Sequence, residues 1–333
     1  MLKRWKLKRD RAGDLAFLPD AHPMKNRDGF GAVYCDSLLA YLNIIDTAYC
    51  RALNKSEFEL VSLLIRIHGM ETAGWDPFES TKATVRAVRR TLKPLEDFEA
   101  ERTLQLWLYG HIIEASEHYD TLMNLADIVD GGRYNSYRFP PKKGRALSPS
   151  EKIAQIEERA LKAGLPELTR PLRDIWDRTL RNALFHSDYA LKGNEVTVRN
   201  PMRVYSHEQI MTYLNRALAF HDALVSIDSI YRRSFNKARL IPVHPGFAKW
   251  PGEKAWVMVR EDYGAIGLRD ALTPAELREG GIPWSWGRFL PTEAEGLMQL
   301  KTVWFPKNPV KKGFVEKMAQ AQKKMQKKTS KKP

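Results

Sequence analysis

The chain has 333 residues, 43% of them hydrophobic, which is enough for one large folded domain with a smaller appended part. The longest stretch without a charged residue lies between Arg102 and Glu114, about half of the roughly 20 residues that a membrane-spanning helix needs. Residues 1–14 are basic, but no apolar segment follows them, so a signal peptide is not expected. We expect a cytoplasmic protein in which Cys35 and Cys50 are buried free thiols.

The positive charge is concentrated at the two ends of the chain. Of the net charge of +14, residues 1–12 contribute +5 and residues 311–333 contribute +8, so the remainder is close to neutral. Basic arms of this kind can follow a phosphate backbone, with an affinity that falls steeply as salt increases. Alternatively, the C-terminal lysines only keep a disordered tail in solution. The candidate contacts in the arms are Lys3, Arg4, Lys323 and Lys324.

Helical patterns dominate residues 28–237. A polar residue followed three positions later by Glu or Gln marks several helix starts: Ser56/Glu59, Asp76/Glu79, Ser148/Glu151 and Ser206/Gln209. The clearest amphipathic helix is expected over 95–127, with one apolar face formed by Leu108, Ile112, Ala115, Tyr119, Leu122 and Ala126. Further long helices are expected over 169–187 and from 206 to about 236, with a loop over 128–147 and a hairpin over 193–205. The expected fold class is therefore mainly α, a helical bundle after a basic N-terminal arm of residues 1–27.

The composition changes after residue 237. Several prolines precede a strand-like segment at 255–261, and a short helix is expected to begin at Thr273. We expect a small mixed α/β appendage over 238–305 and a lysine-rich, disordered tail over 306–333. Trp284 and Trp286 lie in this appendage beside Arg288 and would suit stacking on unpaired bases if they are exposed. Alternatively, they fill the core of the appendage.

One segment, RTLRNALFHSDY at 178–189, contains an arginine, an asparagine and a histidine at spacing that suggests a catalytic site. An arginine followed by a histidine after four to six intervening residues occurs three times, as Arg181/His186, Arg216/His221 and Arg239/His244, which is close to the number expected by chance. Only the first pair has asparagine directly after the arginine, and only this pair lies where an amphipathic helix meets a turn.

This segment resembles the R-N-x-x-x-H signature of the HEPN superfamily, many of whose members are ribonucleases. The resemblance covers about residues 90–237 and implies metal-independent cleavage of RNA, in which a ribose 2′-OH attacks the neighbouring phosphate. Arg181 would then stabilise negative charge on the phosphate, because a guanidinium is permanently charged and forked. His186 would transfer protons, since imidazole can do so near neutral pH, and Asn182 would orient the two. No cofactor and no metal are expected.

Residues five apart on an ideal helix diverge by roughly 140°. Arg181 and His186 can therefore act together only if the helix ends near His186 or if a second chain completes the site. HEPN enzymes usually dimerise with paired motifs in one cleft, so the resemblance implies a homodimer with a composite site. Candidate cleft-lining residues are Ser187, Tyr189, Glu114 and His118. The expected partners are RNA and an antitoxin or other regulatory protein, and the family's habits imply a toxin or anti-phage role.

Several alternatives remain open at this stage. The chain could be a non-catalytic HEPN scaffold that binds RNA, nucleotide or protein, with His186 as a core histidine. His111, Glu114 and His118 share one helical face and could bind a metal ion, but the spacing is not that of a HExxH site and no cysteine joins them, so a polar stripe beside the core is the preferred explanation. Basic tails could hold the protein to an anionic membrane, but they lack an apolar anchor, so no membrane partner is expected.

Overall fold

The computed structural model describes residues 7–9, 15–17, 29–66, 77–93, 95–135, 138–142, 144–246, 248, 251–260, 263–270, 281–289 and 298–306. In chain order its α-helices are α1 (Gly29–Lys55), α2 (Glu57–Ile65), α3 (Pro77–Leu92), α4 (Phe98–Glu114), α5 (Ser116–Val129), α6 (Pro149–Lys162), α7 (Arg170–Ile175), α8 (Arg178–His186) and α9 (His207–Ser234). A single 3-10 turn (Pro166–Thr169) precedes α7. The prediction of a mainly α fold is confirmed, with small antiparallel sheets added.

Within the described residues, the strands form four small antiparallel sheets. Two of them are hairpins: β1 (Leu7–Arg9) with β2 (Leu15–Phe17), and β9 (Gly281–Phe289) with β10 (Met298–Pro306). The other two have three strands each: β3 (Tyr189–Lys192), β4 (Glu195–Val198) and β5 (Arg203–Tyr205), and then β6 (Arg239–Pro242), β7 (Lys254–Arg260) and β8 (Gly264–Asp270). The predicted hairpin at 193–205 is confirmed as β4 and β5, and β3 extends it towards α8.

The core of the bundle lies between the two longest helices, α1 and α9, which pack along each other and against α4, α5 and α7. Large buried side chains fill this layer, and the rings of Tyr41 and Phe220 meet edge to face with centroids 6.4 Å apart. Predicted helix starts at Ser56, Ser148 and Ser206 are confirmed, since each serine side chain accepts a backbone N–H three residues later. The predicted start at Asp76 lies outside the described residues.

The prediction of a single helix over 95–127 is wrong in one respect, because the helix is interrupted at Ala115. Ala115 has φ −62° and ψ 102°, an extended conformation that ends α4 at Glu114 and starts α5 at Ser116. All six residues of the predicted apolar face are nevertheless buried. The break brings Glu114 to the C-terminal end of a helix, where its side chain can reach a neighbouring element.

The helix expected over 169–187 is also divided, at Trp176 and Asp177. Trp176 is extended, and the carboxylate of Asp177 accepts the backbone N–H of Leu180 at 2.9 Å, which starts α8 anew. The hydroxyl of Tyr205 in β5 donates to the same carboxylate at 3.0 Å, and that of Tyr213 in α9 donates at 3.2 Å. A largely buried aspartate with three donors favours this break over a continuous helix.

The C-terminal sheet β6–β7–β8 packs against α2 and the end of α9. Gly264 has φ +89°, and a Cβ there would overlap the backbone of Arg232, so only glycine allows this close approach. The predicted strand at 255–261 is confirmed as β7. The described part of the appendage contains strands, whereas the helix expected at Thr273 lies outside the described residues.

The two cysteines differ in environment, so the expectation that both are buried is wrong for one of them. Cys35 is buried, and burial raises the pKa of its thiol to about 11, whereas Cys50 is exposed on α1. Cys50 lies in an apolar stretch of sequence, but it occupies the outer face of a helix whose inner face holds Ala48, Tyr49 and Ala52.

Candidate active site

The end of α8 presents His186 to solvent. The helix stops at His186 because Ser187 adopts the left-handed conformation, with φ 53° and ψ 33°, and the backbone N–H of Asp188 then bonds back to the carbonyl of Ala183 at 2.9 Å. The predicted helix end at this position is confirmed. His186 is exposed, so the alternative of a buried core histidine is wrong.

Arg181 is held by two side-chain acceptors. Its Nε donates to Oε1 of Glu114 at 2.6 Å, and its Nη1 donates to Oδ1 of Asn182 at 3.1 Å. The side chains of Arg181 and Glu114 are 22% and 29% exposed, so the ion pair lies at the surface but is partly shielded from solvent. A guanidinium has five N–H donors, and these two bonds leave others for an incoming anion. The ion pair therefore orients Arg181 without using all its donors.

Of the other residues predicted to line the cleft, Glu114 contacts Arg181, whereas Ser187 and Tyr189 lie at the end of α8 and at the start of β3. Glu114 joins Arg181 as described, and Ser187 is exposed at the end of α8. Tyr189 begins β3 opposite Val198 and packs partly against the core.

His118 was expected in the cleft, and this prediction is wrong. Its side chain is fully buried, with Nε2 3.1 Å from Nδ1 of His221 and Nδ1 3.3 Å from the carbonyl oxygen of Ile112. Helical spacing places His118 on a face with Glu114, but the break at Ala115 turns α5 away from α4. His111, Glu114 and His118 consequently do not converge, and the described residues contain no group of three side chains suited to a metal ion.

The buried His118–His221 pair predicts acid sensitivity. Burial lowers the pKa of His118 to about 4 and also lowers that of His221, so both rings stay neutral in the folded protein where an unfolded histidine becomes protonated. The unfolded state therefore binds more protons as pH falls from about 6.5 towards 4, and the folded state loses stability over that range. For His118 alone the loss is about 3 kcal/mol.

This loss is measured as the free energy of unfolding in urea between pH 7 and pH 4.5. Glu59 and Asp120 have pKa values raised by burial to about 7 and 6, which acts in the opposite direction. The test is therefore the difference between the wild type and the His118→Gln/His221→Gln double variant. A variant whose stability depends on pH as steeply as the wild type would contradict the prediction.

The two other arginine–histidine pairs have structural surroundings. Arg216 and His221 lie within α9, with His221 buried against His118. Arg239 in β6 pairs with Glu57, and Nδ1 of His244 lies 3.7 Å from Oε1 of Glu59. Arg181 and His186 therefore differ from the other two pairs in their structural surroundings as well as in their sequence context.

Several of the predicted nucleic-acid contacts fall outside the part of the chain that the structure describes. Lys3, Arg4, Lys323 and Lys324 lie outside the described residues, as do the side chains of Trp284 and Trp286, whose backbone forms part of β9. In the described ranges, no helix has both the length and the apolar character to cross a bilayer.

The sequence did not single out Phe185, which lies beside Arg181, or Trp107, which lies on the same face of α4 as Glu114. The guanidinium carbon of Arg181 lies 5.0 Å from the ring centre of Phe185, and the ring of Phe185 lies against Gly110 of α4. Trp107 is one turn from Gly110 on α4. The four-residue spacing of Arg181 and Phe185 was a usable signal, whereas the exposure of Trp107 was not visible in the sequence.

Comparisons with protein-family models, curated proteins and solved structures find no match to this chain.

Proposed function

We propose that the protein is a metal-independent endoribonuclease of the HEPN type, with Arg181, Asn182 and His186 as its catalytic residues. The observation that carries the proposal is the guanidinium of Arg181, oriented by Glu114 and Asn182 on the same short helix that ends at the exposed His186. A fixed cation with unused donors and a solvent-facing imidazole on one short helix suit a reaction that gathers charge on a phosphate and moves protons.

In the proposed reaction, one bond to phosphorus forms and one bond to phosphorus breaks. The ribose 2′-oxygen forms a bond to phosphorus and loses its proton, while the bond from phosphorus to the 5′-oxygen breaks and that oxygen gains a proton. The products are a 2′,3′-cyclic phosphate and a free 5′-hydroxyl. Arg181 would bind the non-bridging oxygens, and His186 would carry one of the two protons.

We propose that a second copy of the chain completes the site. Two proton transfers are needed, and α8 supplies one exposed imidazole. A twofold dimer would bring a second His186 and a second Arg181 to the same cleft. The resemblance also supports a role as a toxin or anti-phage effector, controlled by an antitoxin or other regulatory protein.

The function is tested with labelled single-stranded RNA and transfer RNA in the presence of EDTA. We expect cleavage that leaves cyclic phosphate ends and that stops at any position where the 2′-OH is replaced by hydrogen. Cleavage at such a 2′-deoxy position would contradict the mechanism. Cleavage abolished by EDTA would contradict metal independence, and absence of cleavage would favour a scaffold that binds RNA, nucleotide or protein.

A further inference from the structure

Two large aromatic side chains are half exposed beside the candidate site. Trp107 on α4 is 48% exposed, and Phe185 on α8 is 50% exposed. The indole of Trp107 stacks on the imidazole of His111 with centroids 5.0 Å apart and planes within 8°. The ring of Phe185 lies over Gly110, where an added Cβ would be 3.4 Å from Cζ. Each ring is therefore packed against α4 on one side. We call Trp107 and Phe185 together the aromatic surface.

This aromatic surface is continuous with the candidate catalytic residues. Trp107, Gly110, His111 and Glu114 are three or four residues apart and share one face of α4. Arg181, which pairs with Glu114, also lies 5.0 Å from the ring of Phe185. A group bound at Arg181 therefore has the ring of Phe185 next to it.

The charges around the rings favour an anionic occupant. Arg178 is exposed one turn before Arg181, and His186 is exposed directly after Phe185. The carboxylate on this face, Glu114, is already paired with Arg181. Flat apolar rings beside cationic groups match an unpaired nucleotide, which has a stacking face and a phosphate in one unit.

We propose that Trp107 and Phe185 form a stacking subsite for unpaired bases next to the phosphate held at Arg181. This inference rests on the proposed ribonuclease function and adds that the substrate is single-stranded at the cleavage site. Stacking tolerates any base, so the subsite selects strandedness and not sequence. A duplex keeps its bases stacked on each other and cannot use the rings.

The test measures binding without cleavage. The His186→Ala protein is titrated against a fluorescein-labelled 12-nucleotide single-stranded RNA, and anisotropy gives Kd. Adding Trp107→Ala or Phe185→Ala is expected to raise Kd about tenfold each, which is a typical effect of losing one stacked base. An RNA with abasic sites is expected to bind more weakly and to lose the effect of both substitutions.

Phe98→Ala is the matched control. Phe98 is an aromatic residue of the same helix with 46% exposure, but it lies nine residues before Trp107 and therefore on the opposite face. Its loss should leave Kd unchanged. The inference is overturned if Trp107→Ala and Phe185→Ala change Kd no more than Phe98→Ala does. It is also overturned if they dissociate a dimer in sedimentation while Kd stays constant, which would assign the rings to a contact between copies.

The two proposals can fail separately. Phe185→Ala should leave the slope of log Kd against log salt unchanged, whereas Arg178→Ala should reduce it by about one, because only the arginine neutralises a phosphate. Ring-dependent binding of single-stranded RNA by a wild type that never cleaves RNA would uphold the subsite and reject the ribonuclease. Cleavage of RNA by a protein whose binding does not depend on either ring would uphold the ribonuclease and reject the stacking subsite.

Discussion

Arg181→Ala is expected to lower the rate of RNA cleavage by about 10²–10³-fold, because the phosphate loses its fixed cation in the transition state. His186→Ala is expected to lower it by about 10²–10⁴-fold, since one proton transfer loses its carrier. Single-turnover rates with excess enzyme measure both effects. Circular dichroism and sedimentation check that folding and association are unchanged. Full activity in either variant would contradict the assignment.

Two conservative substitutions separate charge from geometry. Arg181→Lys keeps the positive charge but loses the fork, so we expect recovery of only part of the rate. Glu114→Gln keeps an oxygen near Nε of Arg181 but removes the carboxylate that orients it, so we expect a lower kcat with little change in KM. Arg199→Ala is the control, because this arginine lies in the turn directly after β4 with its side chain 85% exposed.

Mixing the two inactive variants tests the composite site. If Arg181 of one protomer acts with His186 of its partner, a heterodimer of Arg181→Ala and His186→Ala contains one complete site. Random exchange should then restore about a quarter of the wild-type activity, since about half the dimers are mixed and each has one complete site of two. No recovery, despite proven exchange of subunits, would show that both groups act within one chain.

Asp228→Asn is expected to destabilise the fold by about 3–5 kcal/mol, because it leaves two buried arginines without a counter-charge. Asp228 on α9 accepts a bond from Arg66 at 2.7 Å and one from Arg232 at 3.0 Å, and all three side chains are buried. Burial alone would raise the pKa of Asp228, but the two guanidinium groups outweigh it and lower that pKa. The carboxylate is therefore charged at neutral pH.

The same arginines connect distant parts of the chain. Arg66 ends α2 and also donates to Thr121 of α5 at 3.1 Å, while Arg232 donates to the carbonyl of Leu64 at 2.6 Å and to Tyr263 before β8. Loss of Asp228 should therefore loosen the C-terminal sheet together with the bundle.

Urea denaturation followed by circular dichroism measures the effect on the free energy of unfolding. Glu158→Gln is the control, since Glu158 and Lys162 form an exposed pair on α6 and the change should be much smaller. A loss in Asp228→Asn no larger than that in Glu158→Gln would contradict the prediction.

The sequence determined the helical character of the bundle, the helix starts at Ser56, Ser148 and Ser206, and the buried face of α4 and α5. Hydrophobic spacing and serine caps are local properties, so the bundle and the hairpin before α9 could be predicted without knowledge of the neighbours. The helix end at His186 could be predicted in the same way, because a turn signal follows it directly in the chain.

Tertiary contacts decided where helices break and which side chains face solvent. The break at Asp177 depends on hydroxyls of Tyr205 and Tyr213, 28 and 36 residues away, which no local pattern contains. The burial of His118 depends on His221, 103 residues away, and the orientation of Arg181 depends on Glu114, 67 residues away. Residue type and spacing select candidates, but a polar side chain acquires its partner only when separate helices pack, since its hydrogen bonds must be satisfied by whatever that packing brings near.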